Sequence, residues 1–166
     1  MESKKTTRNT AALTESSRAL LERARHYCAL SEQCESGVRQ KLISWGATSD
    51  EVTPIVERLR ADDYLNDFRY ARAFCEGKLI HQRWGRQKVL YHLRTKHLPK
   101  EAIDSGVAVV DDERYYEMLR EVAERKMQEL GPDFTLENQR KLVSFLTSRG
   151  FTYGEINKVI TNILEQ

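Results

Sequence analysis

Two clusters of acidic residues are the groups in this sequence best suited to metal-dependent chemistry. Asp62, Asp63 and Asp67 form one cluster, and Asp111, Asp112 and Glu113 form the other. Neighbouring carboxylates can bind the divalent cations that a nuclease uses. Both clusters, however, stand where a helix is predicted to begin, and acidic side chains there cap backbone amides and complement the helix dipole. We therefore favour helix capping, and we expect neither a metal site nor a cofactor.

Catalytic patterns of other kinds are also missing. His92 and His97 are five residues apart, which places them away from a common helical face. The sequence contains no P-loop, no G-x-G-x-x-G, no H-E-x-x-H and no nucleophile elbow. The residues therefore favour a binding protein over an enzyme.

Basic residues are concentrated in the middle of the chain, although the formal net charge is only +2. Residues 66–100 carry nine Lys and Arg against two acidic residues, a charge of +7. Residues 101–130 carry nine acidic residues and four basic ones, a charge of −5. A basic stretch of this kind fits a phosphate backbone or an acidic protein groove, and it is equally typical of a solvated helical face.

Composition narrows the class of protein. The 166 residues are 40% apolar and include only 8 Gly and 3 Pro, too few turn signals for a β-sandwich or barrel. No stretch approaches the roughly 18–20 consecutive apolar residues of a membrane span, and the polar N-terminus lacks a signal-peptide core, so we expect a cytoplasmic protein. The three cysteines, Cys28, Cys34 and Cys75, form no C-x-x-C pair and are expected to be reduced thiols.

One pattern occurs three times in the chain, in VRQKLISWGATSDEV, VLYHLRTKHLPKEAI and LVSFLTSRGFTYGEI. Apolar residues recur at offsets 0, 4, 9 and 14, and successive windows begin 51 and 53 residues apart. At offset 8 stand Gly46, His97 and Gly150. Glycine, and histidine better than most residues, tolerates the left-handed backbone that ends a helix. Each window therefore predicts a helix, a tight turn and a second helix.

The second helix of each window has its own start signal. Thr48 with Glu51, and Thr152 with Glu155, have the spacing of a capping box, and Pro99 suits a helix start. A further helical segment precedes each window. We predict an all-α fold, an elongated tandem array of three helix–turn–helix-like, three-helix repeats. The predicted boundaries are a flexible tail at 1–18 and repeats at 19–65, 66–110 and 111–166.

The middle repeat resembles the central motif of the RecX family, which in family form reads G-Y-L-D-D-x-x-[FY]-A-R-x-F, a basic linker with Gly, and I-x-x-x-L-x-x-K-G-I. The matching residues are Tyr64, Leu65, Asp67, Tyr70, Ala71, Arg72, Phe74, Gly85, Val89, Leu93, Lys96 and Leu98. The departures are Asp63 for Gly, Asn66 for Asp and His97 for Gly. These departures fall at caps or turns, and their side chains suit the same positions.

The resemblance implies a function as well as a fold of tandem three-helix repeats. RecX proteins are regulators of the bacterial recombinase RecA. The resemblance implies binding within the groove of the RecA–single-stranded DNA filament, with inhibition of RecA ATPase, strand exchange and co-protease activity in DNA repair and the SOS response. It further implies a non-enzymatic protein without a metal. We expect a monomer that contacts single-stranded DNA directly or through the filament and does not associate with membranes.

Candidate contact residues lie in the basic middle repeat. On the middle helix, Val89, Leu90 and Leu93 share one side. The opposite, outward side offers charged and amide donors to phosphates or carboxylates and carries Gln87, Lys88, Tyr91 and Arg94. The full set of candidate contacts is Arg69, Arg72, Lys78, Arg83, Trp84, Arg86, Lys88, Tyr91, Arg94 and Lys96.

Several interpretations stay open from the sequence. Arg72 is placed to pair with Glu76 one turn later. Trp84 fits either an exposed contact anchor or a cap on the core, whereas Trp45 is expected in the core. A tandem helix–turn–helix protein that binds DNA without RecA is the alternative function, and a nuclease that uses the first acidic cluster is a third.

Overall fold

The computed structural model describes residues 14–165, which form helices and no strand. The helices are α1 (Glu15–Leu30), α2 (Glu35–Ser44), α3 (Ser49–Ala61), α4 (Asp67–Cys75), α5 (Arg86–Arg94), α6 (Lys100–Val107), α7 (Asp112–Leu130), α8 (Leu136–Ser148) and α9 (Tyr153–Leu164). A π-helical segment, Glu76–His81, continues α4. Three consecutive groups of three helices result, which confirms the all-α class and the repeat.

The turn within each repeat has the predicted backbone. Gly46 and Gly150 both have φ 94°, and His97 has φ 59°, so all three are left-handed. Capping boxes are present at Thr48 and at Thr152. The shared spacing of the three windows therefore encodes one local geometry three times.

The first helix begins earlier than predicted. It starts at Glu15, inside the stretch expected to be a flexible tail, because the hydroxyl of Thr14 accepts a hydrogen bond from the Ser17 amide at 3.1 Å and caps the helix. The remainder of that predicted tail, residues 1–13, lies outside the described residues.

The chain divides into two compact units between Asn66 and Asp67. The first unit contains α1–α3 around a core that includes Leu42, Ile55 and Leu59, all fully buried. Trp45 packs half-buried at the edge of this core, with its ring 5.9 Å from that of Tyr27.

The second unit contains the second and third repeats around one shared core. The largest fully buried side chains of this core are Leu79, Leu93, Tyr115, Leu119, Leu142, Leu146, Phe151 and Ile156. These residues come from both repeats, so the two repeats fold as one body.

The backbones of these two repeats meet at two glycines. The Gly85 amide donates to the Arg149 carbonyl at 2.8 Å, and the Gln87 amide donates to the Gly150 carbonyl at 3.2 Å. A β-carbon on Gly85 would lie 2.1 Å from the Gly150 carbonyl carbon, and one on Gly150 would lie 2.2 Å from Cβ of Lys88. Only glycine allows this approach, which fixes the 82–85 loop against the turn that ends α8.

Candidate functional site

In the first acidic cluster, Asp67 lies in the first turn of α4, at a helix start as predicted. Asp62 does not lie at a helix start, so the capping prediction was wrong for that residue. Asp62 follows the C-terminus of α3, and its carboxylate accepts hydrogen bonds from Arg25 at 2.5 Å and from Arg58 at 3.0 Å. These bonds, the one from Arg25 first, hold the pKa of Asp62 below its usual range. The group therefore ties α3 to α1 as an ion pair.

The second acidic cluster does begin a helix. The Asp111 carboxylate accepts from the Arg114 amide at 2.8 Å and caps α7, as predicted. Asp112 instead pairs with Arg86. Among residues 14–165, no group of three or more His, Cys, Asp or Glu side chains is arranged to hold a metal ion.

The outward side of α5 is polar, and three of its four predicted residues are exposed, whereas the fourth, Lys88, is half-buried. The exposed three are Gln87, Tyr91 and Arg94, with Tyr91 65% exposed, whereas Val89 and Leu93 are fully buried on the opposite side. Within the described part of the chain, the Arg94 guanidinium forms no ion pair or side-chain hydrogen bond. This outer face of α5 (Gln87, Tyr91 and Arg94) is open to a partner.

Trp84 combines features of the two roles that the sequence leaves open, an exposed contact anchor and a cap on the core. Its half-buried ring packs against the core of the second unit and lies 5.2 Å from the ring of His92. The ammonium groups of Lys78 and Lys88 lie 4.7 Å and 4.3 Å from the Trp84 ring centroid. Lys88 also donates to the Ser148 carbonyl at 3.3 Å, so it links the second repeat to the third.

Two predicted contact residues are held by carboxylates of the third repeat. Arg83 pairs with Glu121 at 2.5 Å, and Arg86 pairs with Asp112 at 2.5 Å. Arg86 also donates to the Val110 carbonyl at 2.8 Å, and its guanidinium stacks 4.1 Å from the centroid of Tyr115. The geometry gives Arg86 a structural role between the repeats.

The remaining candidates lie on α4 and after α5. Arg72 pairs with Glu76 at 2.9 Å, one of the alternatives that the spacing allows. Arg69 and Lys96 are both half-buried. Arg72 is exposed but paired, and Arg69 and Lys96 are less exposed than Arg94.

Sequence reasoning missed residues that the fold adds to this region. Arg149, from the turn after α8, donates to the Gln82 carbonyl at 3.0 Å and so reaches the 82–85 loop. Its spacing of four from Phe145 predicts the observed stacking, 5.0 Å from the ring centroid. No local signal places either residue beside a loop more than sixty positions earlier.

Two buried thiols lack the character of nucleophiles or metal ligands. Burial is the main cause that raises the pKa of each thiol to about 11. The negative charge of a nearby glutamate, Glu32 for Cys28 and Glu76 for Cys75, raises the pKa further in the same direction. Both side chains are buried. They are therefore protonated at neutral pH and serve as small apolar core groups.

Three tandem three-helix units, with a cationic and aromatic surface on the second, define a helical-repeat protein. A family model described as the second three-helix domain of RecX matches residues 66–106, and one described as its third three-helix domain matches residues 112–160. Together they account for more than half of the chain. The chain belongs to the RecX family.

Curated relatives agree with this assignment. The regulatory protein RecX of Clostridium acetobutylicum is 30% identical over 136 residues, which cover 80% of this chain and 63% of that protein. Its counterpart in Clostridium botulinum strain Eklund 17B is 32% identical over 128 residues, covering 76% and 59%. The chain thus spans about three fifths of the length of these relatives, which are named regulatory proteins.

A solved structure shares the fold. The crystal structure of RecX from Lactobacillus salivarius superposes with a TM-score of 0.81 at 20% identity, covering 93% of this chain and all of that one. None of the helices in residues 14–165 is long and apolar enough to cross a membrane.

Proposed function

We propose that this chain is a non-enzymatic regulator that binds the RecA–single-stranded DNA filament and inhibits RecA ATPase, strand exchange and co-protease activity. The observation that carries the proposal is the outer face of α5, which lies within the segment that matches the second RecX domain. Membership of a family of regulatory proteins supports the same function. We further propose that the chain acts as a cytoplasmic monomer without a cofactor.

The outer face of α5 combines the groups that such a filament would select. Arg94 offers a planar donor fork that fits phosphates and carboxylates, and Gln87 offers an amide. Tyr91 presents a large ring with little conformational freedom to lose, a common anchor at interfaces. Because Val89 and Leu93 fix the opposite side of the helix in the core, these groups are positioned before a partner arrives.

The test is the single-stranded-DNA-dependent ATPase rate of RecA, with this protein titrated from well below stoichiometric amounts. We expect the rate to fall while the amount of DNA-bound RecA is maintained at saturating DNA. Arg94→Glu should weaken inhibition at least about tenfold, because it replaces an attractive charge at an interface with a repulsive one. Arg140→Glu, an equal charge change on exposed α8, is the matched control and should inhibit like the wild type.

Each contrary result has a defined meaning. An unchanged ATPase rate at stoichiometric excess would refute filament regulation. Full inhibition by Arg94→Glu, with helicity retained by circular dichroism, would refute the assignment of the α5 face. Lys88 is unsuited to this test because its contacts with Trp84 and Ser148 also stabilise the fold.

A tandem helix–turn–helix protein that binds DNA by itself is the second candidate function. The charge of +7 in residues 66–100 favours it, since such a stretch attracts phosphates whether or not RecA is present. Strongly salt-dependent binding to bare DNA, together with no effect on RecA ATPase, would select this alternative.

A further inference from the structure

A cleft of about 460 Å³ lies where the second and third repeats meet. We call it the junction cleft. The charged residues that line it are Arg83, Glu121, Arg125, Lys126, Glu129 and Arg149, and the ring of Phe145 lies among them. Four of these side chains are cationic, and they come from the 82–85 loop, from α7 and from the turn after α8. The fold therefore gathers positive charge from both repeats at one depression of the surface.

Carboxylates compensate only two of the four cations. Glu121 binds Arg83 at 2.5 Å, and Glu129, which also lines the cleft, binds Lys126 at 3.0 Å. Arg149 contacts neutral groups, and within residues 14–165 neither Arg125 nor Arg149 has a carboxylate partner. The cleft thus retains two uncompensated guanidinium groups.

The position of Arg149 is fixed before any ligand binds. Its backbone carbonyl accepts the Gly85 amide, and its guanidinium donates to the Gln82 carbonyl at 3.0 Å. It directly precedes Gly150, where the two repeats make their closest backbone approach. A cation held in this way loses little conformational entropy when it binds an anion.

The lining of the cleft includes one aromatic ring. Lys126 and Arg149 lie 5.1 Å and 5.0 Å from the centroid of the half-buried Phe145 ring. Cations that follow a groove beside an aromatic ring are the arrangement with which proteins bind single strands without sequence preference. A duplex instead presents its phosphates on two ridges beside a groove about 12 Å wide, which one small cleft does not match.

We propose that the junction cleft binds the phosphodiester backbone of single-stranded nucleic acid, with Arg125 and Arg149 as the main phosphate contacts. Glu121 acts as an internal competitor, because an arriving phosphate must replace its carboxylate at Arg83. This site is separate from the outer face of α5, and the proposal does not depend on RecA.

The experiment measures the affinity of the purified full chain for a fluorescent oligothymidylate by anisotropy over a range of salt concentrations, without RecA. We expect Arg125→Gln with Arg149→Gln to weaken binding about tenfold or more. The slope of log affinity against log salt should become shallower by about 1.4, since each lost contact with a single strand removes about 0.7. Glu121→Gln should strengthen binding, because it leaves Arg83 available to a phosphate.

The matched control is Arg114→Gln with Arg140→Gln, which removes the same charge from exposed positions of the same unit. It should retain most of the affinity, and thermal melts monitored by circular dichroism should show all variants folded. Equal losses in the two double variants would overturn the proposal, as would unchanged binding in the cleft variant.

Two competitors test the identity of the ligand. A duplex of equal length that binds more tightly than the single strand through the same two arginines would overturn the single-strand assignment. Polyglutamate that displaces the oligonucleotide equally well at equal charge would indicate an acidic protein ligand instead. Because RecA is absent, any of these failures leaves the filament proposal untouched, and a failure of RecA inhibition leaves this proposal untouched.

Discussion

Replacing Gly85 with alanine should weaken the packing of the second repeat against the third. The added β-carbon would lie 2.1 Å from the carbonyl carbon and oxygen of Gly150, which are backbone atoms and cannot move as a flexible side chain does. Relief of this overlap requires the 82–85 loop to withdraw. That movement breaks the hydrogen bonds from Gly85 to Arg149 and from Gln87 to Gly150, at 2.8 Å and 3.2 Å.

The expected cost follows from these contacts. Two lost hydrogen bonds contribute about 1 kcal/mol each, and overpacking adds about 1–3 kcal/mol, for a total of about 3–5 kcal/mol. A domain of this size is stable by about 5–15 kcal/mol, so the loss is a large fraction. With a urea dependence near 2 kcal/mol per molar, the unfolding midpoint should fall by about 2 M.

Tryptophan fluorescence during urea unfolding provides the assay. The chain has two tryptophans, one in each unit, so a Trp45→Phe background leaves Trp84 to report on the second unit alone. Gly154→Ala is the control: nothing lies within 4 Å of its added β-carbon, and alanine in a helix should leave stability unchanged or raise it slightly. Equal midpoints for Gly85→Ala and Gly154→Ala would refute the close-approach argument.

Three further outcomes are expected from buried and paired groups. Tyr115→Phe should lower the free energy of unfolding by about 1–3 kcal/mol in urea titrations, because the Arg86 amide donates to the Tyr115 hydroxyl at 3.0 Å and would lose its partner. An unchanged unfolding midpoint would argue against this hydrogen bond. The hydrogen bond from Arg25 is the main cause of the lowered pKa of Asp62, and the resulting stability is present above about pH 4 and is lost as the pH falls through the lower folded-state pKa. Asp62→Asn should therefore make the stability depend less on pH in acid titrations, and an acid transition identical to that of the wild type would contradict this. Burial raises the pKa of Cys75 to about 11, so this thiol should react with a thiol reagent at pH 8 only as fast as the second unit unfolds. Rapid labelling of Cys75 in the native protein would contradict its burial.

Local features of the fold were predictable because short-range geometry determines them. The left-handed turn at His97, where the family pattern has glycine, follows from a position in a repeated window rather than from the residue type alone. The capping box of Thr152 and Glu155 follows from a spacing of three. Such features depend on neighbouring residues along the helix, and these are visible in the sequence.

Contacts between helices that are distant in the sequence were not predictable in the same way. Asp62 was expected to cap a helix, but it pairs with Arg25, 37 residues earlier, because α1 and α3 pack together. Arg149 reaches Gln82 across 67 residues. No periodicity encodes these distances, since the packing of whole helices sets them.

The same packing changes the meaning of the charge pattern. Counting residues gives a stretch of +7 followed by one of −5, which leaves open whether the acidic stretch serves a partner or the molecule itself. Glu121 and Asp112, from the acidic stretch, neutralise Arg83 and Arg86 of the basic stretch at the repeat junction. Part of the apparent basic surface is therefore neutralised by carboxylates of the same molecule. Charge reversal at Arg86 should accordingly affect stability first, whereas charge reversal at Arg94 should affect partner binding alone. Comparing the unfolding midpoints of the two variants with their inhibition of RecA ATPase separates these roles.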